Sequence, residues 1–280
     1  MRITLFGATG LLGKALVREW QDDEIIALGS QDADIRNADQ VQRVVSKTRP
    51  HWIVLAAAYT DVDGCETHRD LAFAVNARGA VNVAEAAKKI GSRLLFVSTD
   101  YVFDGSKSQP YQTTDRRNPT SVYGQSKAEA EAQISGILPD SCIARTSWLF
   151  GNGGKCFPDT ILKLAATRPE LNVVDDQRGS PTYAVDLARA IMQLCHNNAS
   201  GIVHVTNRGD CTWYDLAKEV TRAAGLSTTI HPTTTDKFPR PAPRPAYSVL
   251  SPTSLDAYGI TMPGWQDAVG RYLVERKGSG

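Results

Sequence analysis

A surplus of charge of either sign is absent: 31 Lys and Arg stand against 30 Asp and Glu in 280 residues, a formal net charge of +1. No basic block interrupts that balance, so the electrostatic footprint that nucleic-acid phosphates or anionic lipid would require is missing. Long apolar runs are missing too. The longest is Ile53 to Ala58, far short of the about 18 to 20 residues that cross a bilayer, and the N-terminus carries one arginine but no extended apolar signal core. These absences predict a soluble, cytoplasmic chain with neither a nucleic-acid nor a membrane partner. Cys65, Cys142, Cys156, Cys195 and Cys211 are odd in number, widely spaced and form no Cys-x-x-Cys pair, which excludes a disulfide framework and predicts ordinary buried thiols. His51, His68, His196, His204 and His231 show no ligand spacing, so no metal site is expected. The closing Gly278-Ser279-Gly280 reads as a cloning scar.

What is present is a long alternation of β-branched runs and helical patterns, the mark of βαβ units and a parallel sheet. Strands are expected at Arg2 to Phe6, Glu24 to Leu28, Trp52 to Ala57, Arg93 to Ser98 and Cys142 to Arg145, with helices at Leu11 to Trp20, Ala38 to Lys47 and Asp70 to Ile90. A further helix is expected to start near Asn118-Pro119, where a capping residue precedes a proline suited to a first turn. Past the glycine cluster Gly151-Asn152-Gly153-Gly154, helices are expected near Phe157 to Thr167, Val185 to Cys195, Trp213 to Ala224 and Trp265 to Glu275. The proline-rich run Phe238 to Pro245 excludes helix and internal strand, and reads as a loop wrapping a site between two lobes. The fold class is α/β, a Rossmann-type doubly wound parallel sheet with a smaller C-terminal substrate-binding lobe. Residues 1–150 are assigned to the dinucleotide-binding domain and 151–280 mainly to the substrate lobe, with some segments returning to the first domain.

Chemistry first enters at Gly7-Ala8-Thr9-Gly10-Leu11-Leu12-Gly13, directly after the first strand and opening the first helix. Such a turn brings backbone N–H groups to a pyrophosphate at the positive end of a helix, and its last glycine lets helix and sheet pack closely. The spacing G-x-x-G-x-x-G is similar to that of the extended short-chain dehydrogenase/reductases. Leu28 is followed by Gly29-Ser30-Gln31, with no acid for an adenosine 2′-hydroxyl and no arginine placed to clamp a 2′-phosphate, so NADPH and NADH both stand, NADPH slightly ahead. Asp34-Ile35 is placed to flank the adenine, or is an ordinary helix start. Ala56-Ala57-Ala58 presents small side chains where a cofactor runs close to the backbone.

Tyr123 and Lys127 lie four apart on one helix face. A phenol beside an ammonium and an oxidised nicotinamide is expected to have a lowered pKa and to exchange a proton near neutral pH. A bare Tyr-x-x-x-Lys is common, but Ser98-Thr99-Asp100 at the end of the fourth strand places a hydroxyl where ligand sites gather in such sheets.

The run Ser98-Thr99-Asp100-Tyr101-Val102-Phe103-Asp104-Gly105, then Tyr111-x-x-x-Asp115 and Val122-Tyr123-Gly124-x-x-Lys127, resembles the dTDP-4-dehydrorhamnose reductases. So do Ala56-Ala57-Ala58-Tyr59-Thr60-x-Val62-Asp63, Arg145-Thr146-Ser147-Trp148, Asp176-Gln177-x-Gly179-Ser180-Pro181-Thr182 and Arg244-Pro245-x-x-Ser248-x-Leu250, so the likeness spans nearly the whole chain. The resemblance implies reduction of the C4 keto group of dTDP-4-dehydro-6-deoxy-L-mannose by NADPH or NADH, giving dTDP-L-rhamnose. It implies Tyr123 as proton donor, Lys127 on the nicotinamide ribose, Thr99 on the carbonyl oxygen and Asp100 on the sugar. It places Trp148 against the sugar and Arg244 near the nucleotide phosphates, alternatives being a core aromatic and a surface charge. Gln177 and Arg178 are weaker candidates for the nucleotide pocket. Some relatives bind a metal at a dimer interface through a glutamate; here that stretch reads Ala184-Val185-Asp186, and no metal is expected. The chain is expected as a monomer or homodimer. Dehydration is disfavoured because Tyr101 stands where a 4,6-dehydratase resembles Thr-Asp-Glu, and Cys142 and His204 match no epimerase pair. A non-catalytic dinucleotide-binding subunit, like the regulatory subunit of methionine adenosyltransferase that resembles this family, is disfavoured by the joint presence of Thr99, Tyr123 and Lys127.

Overall fold

Short aliphatic runs pair into β1 (Arg2–Phe6), β2 (Glu24–Leu28), β3 (Trp52–Leu55), β4 (Arg93–Thr99) and β5 (Cys142–Thr146) of the computed structural model, which describes residues 1–278. Ser279 and Gly280, the end of the stretch read as a scar, lie outside the described residues. A sixth strand, Gly201–His204, closes the far edge, giving the order (Gly201–His204)-β5-β4-β3-β1-β2 with every neighbour parallel. The register explains the two faces. Leu5, Val54, Leu95 and Cys142 stand opposite one another in one row, and Phe6, Leu55, Phe96 and Ile143 in the next. Adjacent rows point to opposite faces of a sheet, and each row enters a different core.

The first row meets helix α1 (Leu11–Glu19) and the helix Ala184–His196 through Leu12, Leu16, Leu187 and Ile191. The second meets α2 (Ala38–Thr48), Gly79–Ile90 and Val122–Ile137 through Val41, Val83, Ala84 and Ile134. Helices on both faces of a parallel sheet make the fold a doubly wound Rossmann type. A third core gathers Phe150, Leu171, Val173, Leu216, Val220 and Tyr272 beneath the helices Phe157–Ala165, Trp213–Ala224 and Trp265–Gly278.

Three expectations need correction. β3 ends at Leu55; the Ala56 N–H still donates to the Phe6 carbonyl at 2.9 Å, and Ala57 and Ala58 lie beyond the sheet. The single helix expected from Asp70 to Ile90 is interrupted: Val62–Thr67, capped by Asp61, and Arg69–Phe73 precede a widened π-turn, Ala74–Arg78. That turn carries buried Asn76, whose amide accepts from the Tyr59 N–H at 2.7 Å and donates to the Ser126 hydroxyl at 3.0 Å. It ties the Ala58-Tyr59 segment to the helix Val122–Ile137. Finally, that helix starts at Val122, not at Pro119, because Ser121 accepts from the Gly124 N–H at 3.1 Å. Asn118 instead donates its side-chain amide to Asp104.

Phe238 to Pro245 follows a single 3₁₀ turn and forms an irregular segment pinned by Arg244 and Arg240 to Asp63, on the helix Val62–Thr67. All five cysteines are buried and unbridged. Among the described residues, no helix is long and apolar enough to cross a membrane.

Candidate active site

The strand order reverses between β1 and β3, so the turns leaving these two strands diverge and open a crevice at their carboxyl ends. Gly7 to Gly13 forms one wall. A Cβ on Gly7, whose φ is +94°, would lie 2.5 Å from the Ala57 nitrogen, and one on Gly13 would lie 2.1 Å from the Gly7 carbonyl oxygen. Both glycines are therefore demanded by close approach of backbone to backbone. Gly10, the N-cap of α1, faces the crevice.

Three cavities follow one another along this edge. The first, of about 600 Å³, is lined by Gly29, Ser30, Asp34, Ile35 and Arg36, with Ala56, Ala57 and Ala58 on its inner side. Gly7, Gly10, Ala56 and Ala58 also line the second, of about 400 Å³, where Leu11, Leu12 and Gly13 meet Thr99, Asp100, Tyr123, Lys127 and Trp148. Tyr101 and Trp213 are shared with the third, of about 540 Å³, which holds Phe157, Gln177, Arg240 and Arg244. Residues far apart in sequence thus converge on one continuous trough, long enough in its donor set for a dinucleotide at one end and a second polar ligand at the other.

In the central cavity, β4 delivers Thr99, whose hydroxyl donates to Asp100 Oδ1 at 3.0 Å and accepts from the Tyr101 N–H at 3.2 Å. The same hydroxyl is a partner of the Tyr123 phenol. Burial pushes that phenol above its ordinary pKa, the Thr99 hydrogen bond opposing and the Asp100 charge adding to the rise. Lys127, expected beside it, gives its ammonium to other partners. Its ammonium donates to the Val97 carbonyl at 2.7 Å and sits 3.9 Å over the Phe96 ring. Burial pulls Lys127 down to about 7, against the pull of Glu131 one turn on.

Glu131 is fully buried and held by Arg145 at 2.9 and 2.7 Å, by the Ser98 hydroxyl at 2.6 Å and by Arg117 at 3.2 Å. Ser98 thereby fixes the helix carrying Tyr123 and Lys127 to β4, the strand of Val97 and Thr99, and Arg145 fixes it to β5. Asp100 is buried as well, which pushes its carboxyl up to about 6 against hydrogen bonds from Ser248 and Thr99. Its Oδ2 and the Thr146 hydroxyl, both lining the central cavity, have no hydrogen-bond partner among the described residues.

Trp148 lies face to face with Trp213, ring centroids 3.5 Å apart and 5° from parallel. Trp213 is oriented in turn by Gln177, which accepts from its indole N–H at 3.2 Å. Arg244 donates to Asp63 at 2.9 Å and keeps a buried Nη1 without a hydrogen-bond partner among the described residues.

Comparison with known proteins decides the family. Residues 1–277 match the family described as "RmlD substrate binding domain". The chain is 40% identical over 284 residues to the dTDP-4-dehydrorhamnose reductase of Aggregatibacter actinomycetemcomitans, covering 96% of this chain and 97% of that one. The chain belongs to the dTDP-4-dehydrorhamnose reductase family. It is also 41% identical to the spore coat polysaccharide biosynthesis protein SpsK of Bacillus subtilis, over 98% of each chain. A solved dTDP-4-dehydrorhamnose reductase from Bacillus anthracis, in complex with NADP, superposes with a TM-score of 0.95 at 39% identity, covering 98% of this chain and 99% of that one.

Within this reductase-family fold, the trough brings together the site residues the sequence singled out, Arg178 excepted, with Arg244 at its outer end. Arg178 is elsewhere, paired with Asp210 on another face. Gln177 does line the trough. Cys142 belongs to a hydrophobic core and His204 is buried beside Arg145, and neither lines the central cavity. Asp186 is held by Asn207 at 2.7 Å and by Arg271 at 2.7 and 2.6 Å. Among the described residues, no group of three or more His, Cys, Asp or Glu is placed to hold a metal ion.

Sequence reasoning missed Trp213, Thr146, Lys155 and Arg36. Trp213 was legible only as the start of a helix, and Lys155 follows a glycine cluster read as flexible, whereas Lys14 donates to the Gly153 carbonyl at 2.8 Å and fastens that loop. Arg36, two residues past Asp34, lines the cavity at the end of β2.

Proposed function

We propose that this chain reduces the C4 keto group of dTDP-4-dehydro-6-deoxy-L-mannose (dTDP-4-dehydrorhamnose), giving dTDP-L-rhamnose, in the cytoplasm. The observation that carries the reading is the meeting of Thr99, Tyr123 and Lys127 in one cavity of a chain that matches the reductases along its length. Residues 1–150, with the segments that return to the sheet, hold the dinucleotide; most of 151–280 holds the sugar nucleotide. Gly7, Gly10, Leu11, Leu12, Gly13 and Ala56 to Ala58 fit a dinucleotide's diphosphate and nicotinamide half, and Asp34 and Ile35 its adenosine. When bound, NADPH or NADH supplies the hydride.

The chain's own residues do the rest. Thr99 turns its hydroxyl proton from Asp100 Oδ1 to the carbonyl oxygen and polarises it. As the hydride adds to C4, the electron pair of the C=O bond moves to oxygen and takes the Tyr123 phenolic proton. A phenol held above its ordinary pKa is fully protonated at neutral pH, the state a proton donor needs. Lys127 orients the nicotinamide ribose, and Asp100 Oδ2 accepts from a sugar hydroxyl. Trp148 packs on the sugar, and Arg244 turns its unpartnered Nη1 to the diphosphate. The chain works as a monomer or homodimer.

The test is oxidation of NADPH and NADH with the keto sugar generated in situ by the preceding epimerase. Epimerase-dependent oxidation with dTDP-L-rhamnose as product is expected, and Tyr123→Phe is expected to lower turnover at least about 100-fold with dinucleotide affinity unchanged. Dinucleotide binding without turnover of this sugar would overturn the assignment.

A further inference from the structure

Two tryptophans meet in the central cavity, and one of them stands on a strained backbone. Trp148 has a φ of +47°, in the left-handed region that a bulky side chain rarely adopts. Such a conformation persists only where its surroundings over-determine it, and here they do. The Trp148 carbonyl accepts the Thr182 N–H at 3.2 Å, and the hydroxyl of the preceding Ser147 donates to the Ser180 carbonyl at 2.6 Å. The indole lies against Gly179, where a Cβ would come within 2.5 Å of its Cε2, so only a glycine admits it. One face of the ring is covered by Trp213.

Trp213 is itself immobilised. It opens the helix Trp213–Ala224, whose start is fixed by a capping box between Thr212 and Asp215. Phe157 packs on its ring, centroids 4.6 Å apart. Its indole N–H goes to Gln177, which donates to the Thr235 hydroxyl at 2.9 Å, and that hydroxyl donates in turn to Asp176 at 2.6 Å. Both indoles line the cavity of Thr99 and Tyr123, but Trp213 spends a face and its one polar group on the protein.

We propose that Trp213 is a positioning residue for the reduction: by holding the Trp148 indole in one plane, it fixes where the keto sugar rests relative to Thr99 and Tyr123. This role rests on the placing of Trp148 against the sugar in the function proposed above. A misplacement of about 1 Å at a reacting centre costs about 100-fold in rate, so a loosened Trp148 ring lowers kcat as well as raising KM.

The test is a double-mutant cycle on the full chain, with oxidation of NADPH or NADH by the epimerase-generated keto sugar giving kcat and KM, and calorimetric titration giving dinucleotide affinity. Trp213→Leu is expected to lower kcat/KM for the sugar at least about tenfold, with kcat itself reduced and dinucleotide affinity within about twofold of wild type. Trp148→Leu is expected to cost at least as much, and the double variant to fall within about threefold of Trp148→Leu alone, because Trp213 then has no ring to hold. Trp213→Phe keeps a stacking face and is expected to recover most of the loss. Trp213→Met is measured beside Trp213→Leu, so that misfolding of one leaves the cycle intact. Circular dichroism gives a reading apart from turnover: the exciton couplet of two stacked indoles is expected in the wild type and lost in each single variant. No couplet in the wild type, wild-type kinetics in Trp213→Leu or Trp148→Leu, losses that multiply in the double variant, or a comparable loss of dinucleotide affinity would overturn the proposal and leave the reductase reading standing. A wild-type chain that binds dinucleotide but does not turn over this sugar would overturn both.

Discussion

Asp100 shows how one residue's burial creates both a cost and a use. Its carboxyl lies in the central cavity with one oxygen unpartnered, and burial raises its pKa from 3.8 to about 6. An acid whose folded value exceeds its unfolded value contributes stability below the unfolded pKa and loses it as pH rises through the folded one. That window runs here from about 4 to about 6, so the ionised group opposes folding at neutral pH by about 2 to 3 kcal/mol. Asp100→Asn is accordingly expected to raise the melting temperature relative to wild type at pH 8 but not at pH 4, with turnover reduced. A stability difference independent of pH, read from thermal melts across that range, would refute the account. The positions of Thr99, Tyr123 and Lys127 were legible in the sequence because hydroxyl, phenol and ammonium have few other uses in that order at strand and helix ends. The burial of Tyr123, the largest cause of its raised pKa, was not, since it arises only when the helix Val122–Ile137 packs against the turn after β4.

Among the elements, the helix Val122–Ile137 does the most positioning. It approaches the turn after β4 so closely that a Cβ on Gly124 would lie 2.2 Å from the Tyr101 carbonyl oxygen. Gly124→Ala must push helix and turn apart, separating Tyr123 from Thr99. We expect a loss of about 1 to 3 kcal/mol in stability and a fall in turnover; unchanged melting and kinetics would show that the contact is soft. The same element shows where sequence patterning fails. Asn118-Pro119 looks like a helix start, yet Ser121 caps it, a choice set by the packing of Gly124. The Val62–Thr67 helix was hidden because only Cys65 in it is fully buried, so it carries almost no apolar periodicity. The first five strands, by contrast, were readable to within about two residues, because buried parallel strands consist of continuous aliphatic runs, whereas the short edge strand Gly201–His204 was not anticipated.

At the scale of the molecule, the proline-rich segment is joined to the opposite wall of the trough by Asp63, which takes Arg244 at 2.9 Å and Arg240 at 3.7 Å. Asp63→Ala is expected to loosen that segment by about 1 kcal/mol, exposing it about fivefold more often. The readout is tryptic cleavage after Lys237, the basic residue of this stretch not followed by proline. Cleavage at the wild-type rate would show that the prolines alone hold the segment. Its irregular path was legible from composition; its anchor was not, because Asp63 and Arg244 are separated by most of the chain.

The edge strand Gly201–His204 and the helix Ala184–His196 complete the sheet and cover α1, although they are encoded after the start of the second lobe. During synthesis, then, the first five strands leave the ribosome with one face covered by α1 alone and one edge bare, and wait for roughly fifty further residues before the cover is complete. Nascent chains halted near residue 150 present Leu5, Val54, Leu95 and Cys142 to whatever holdase meets them, while chains halted past residue 205 do not.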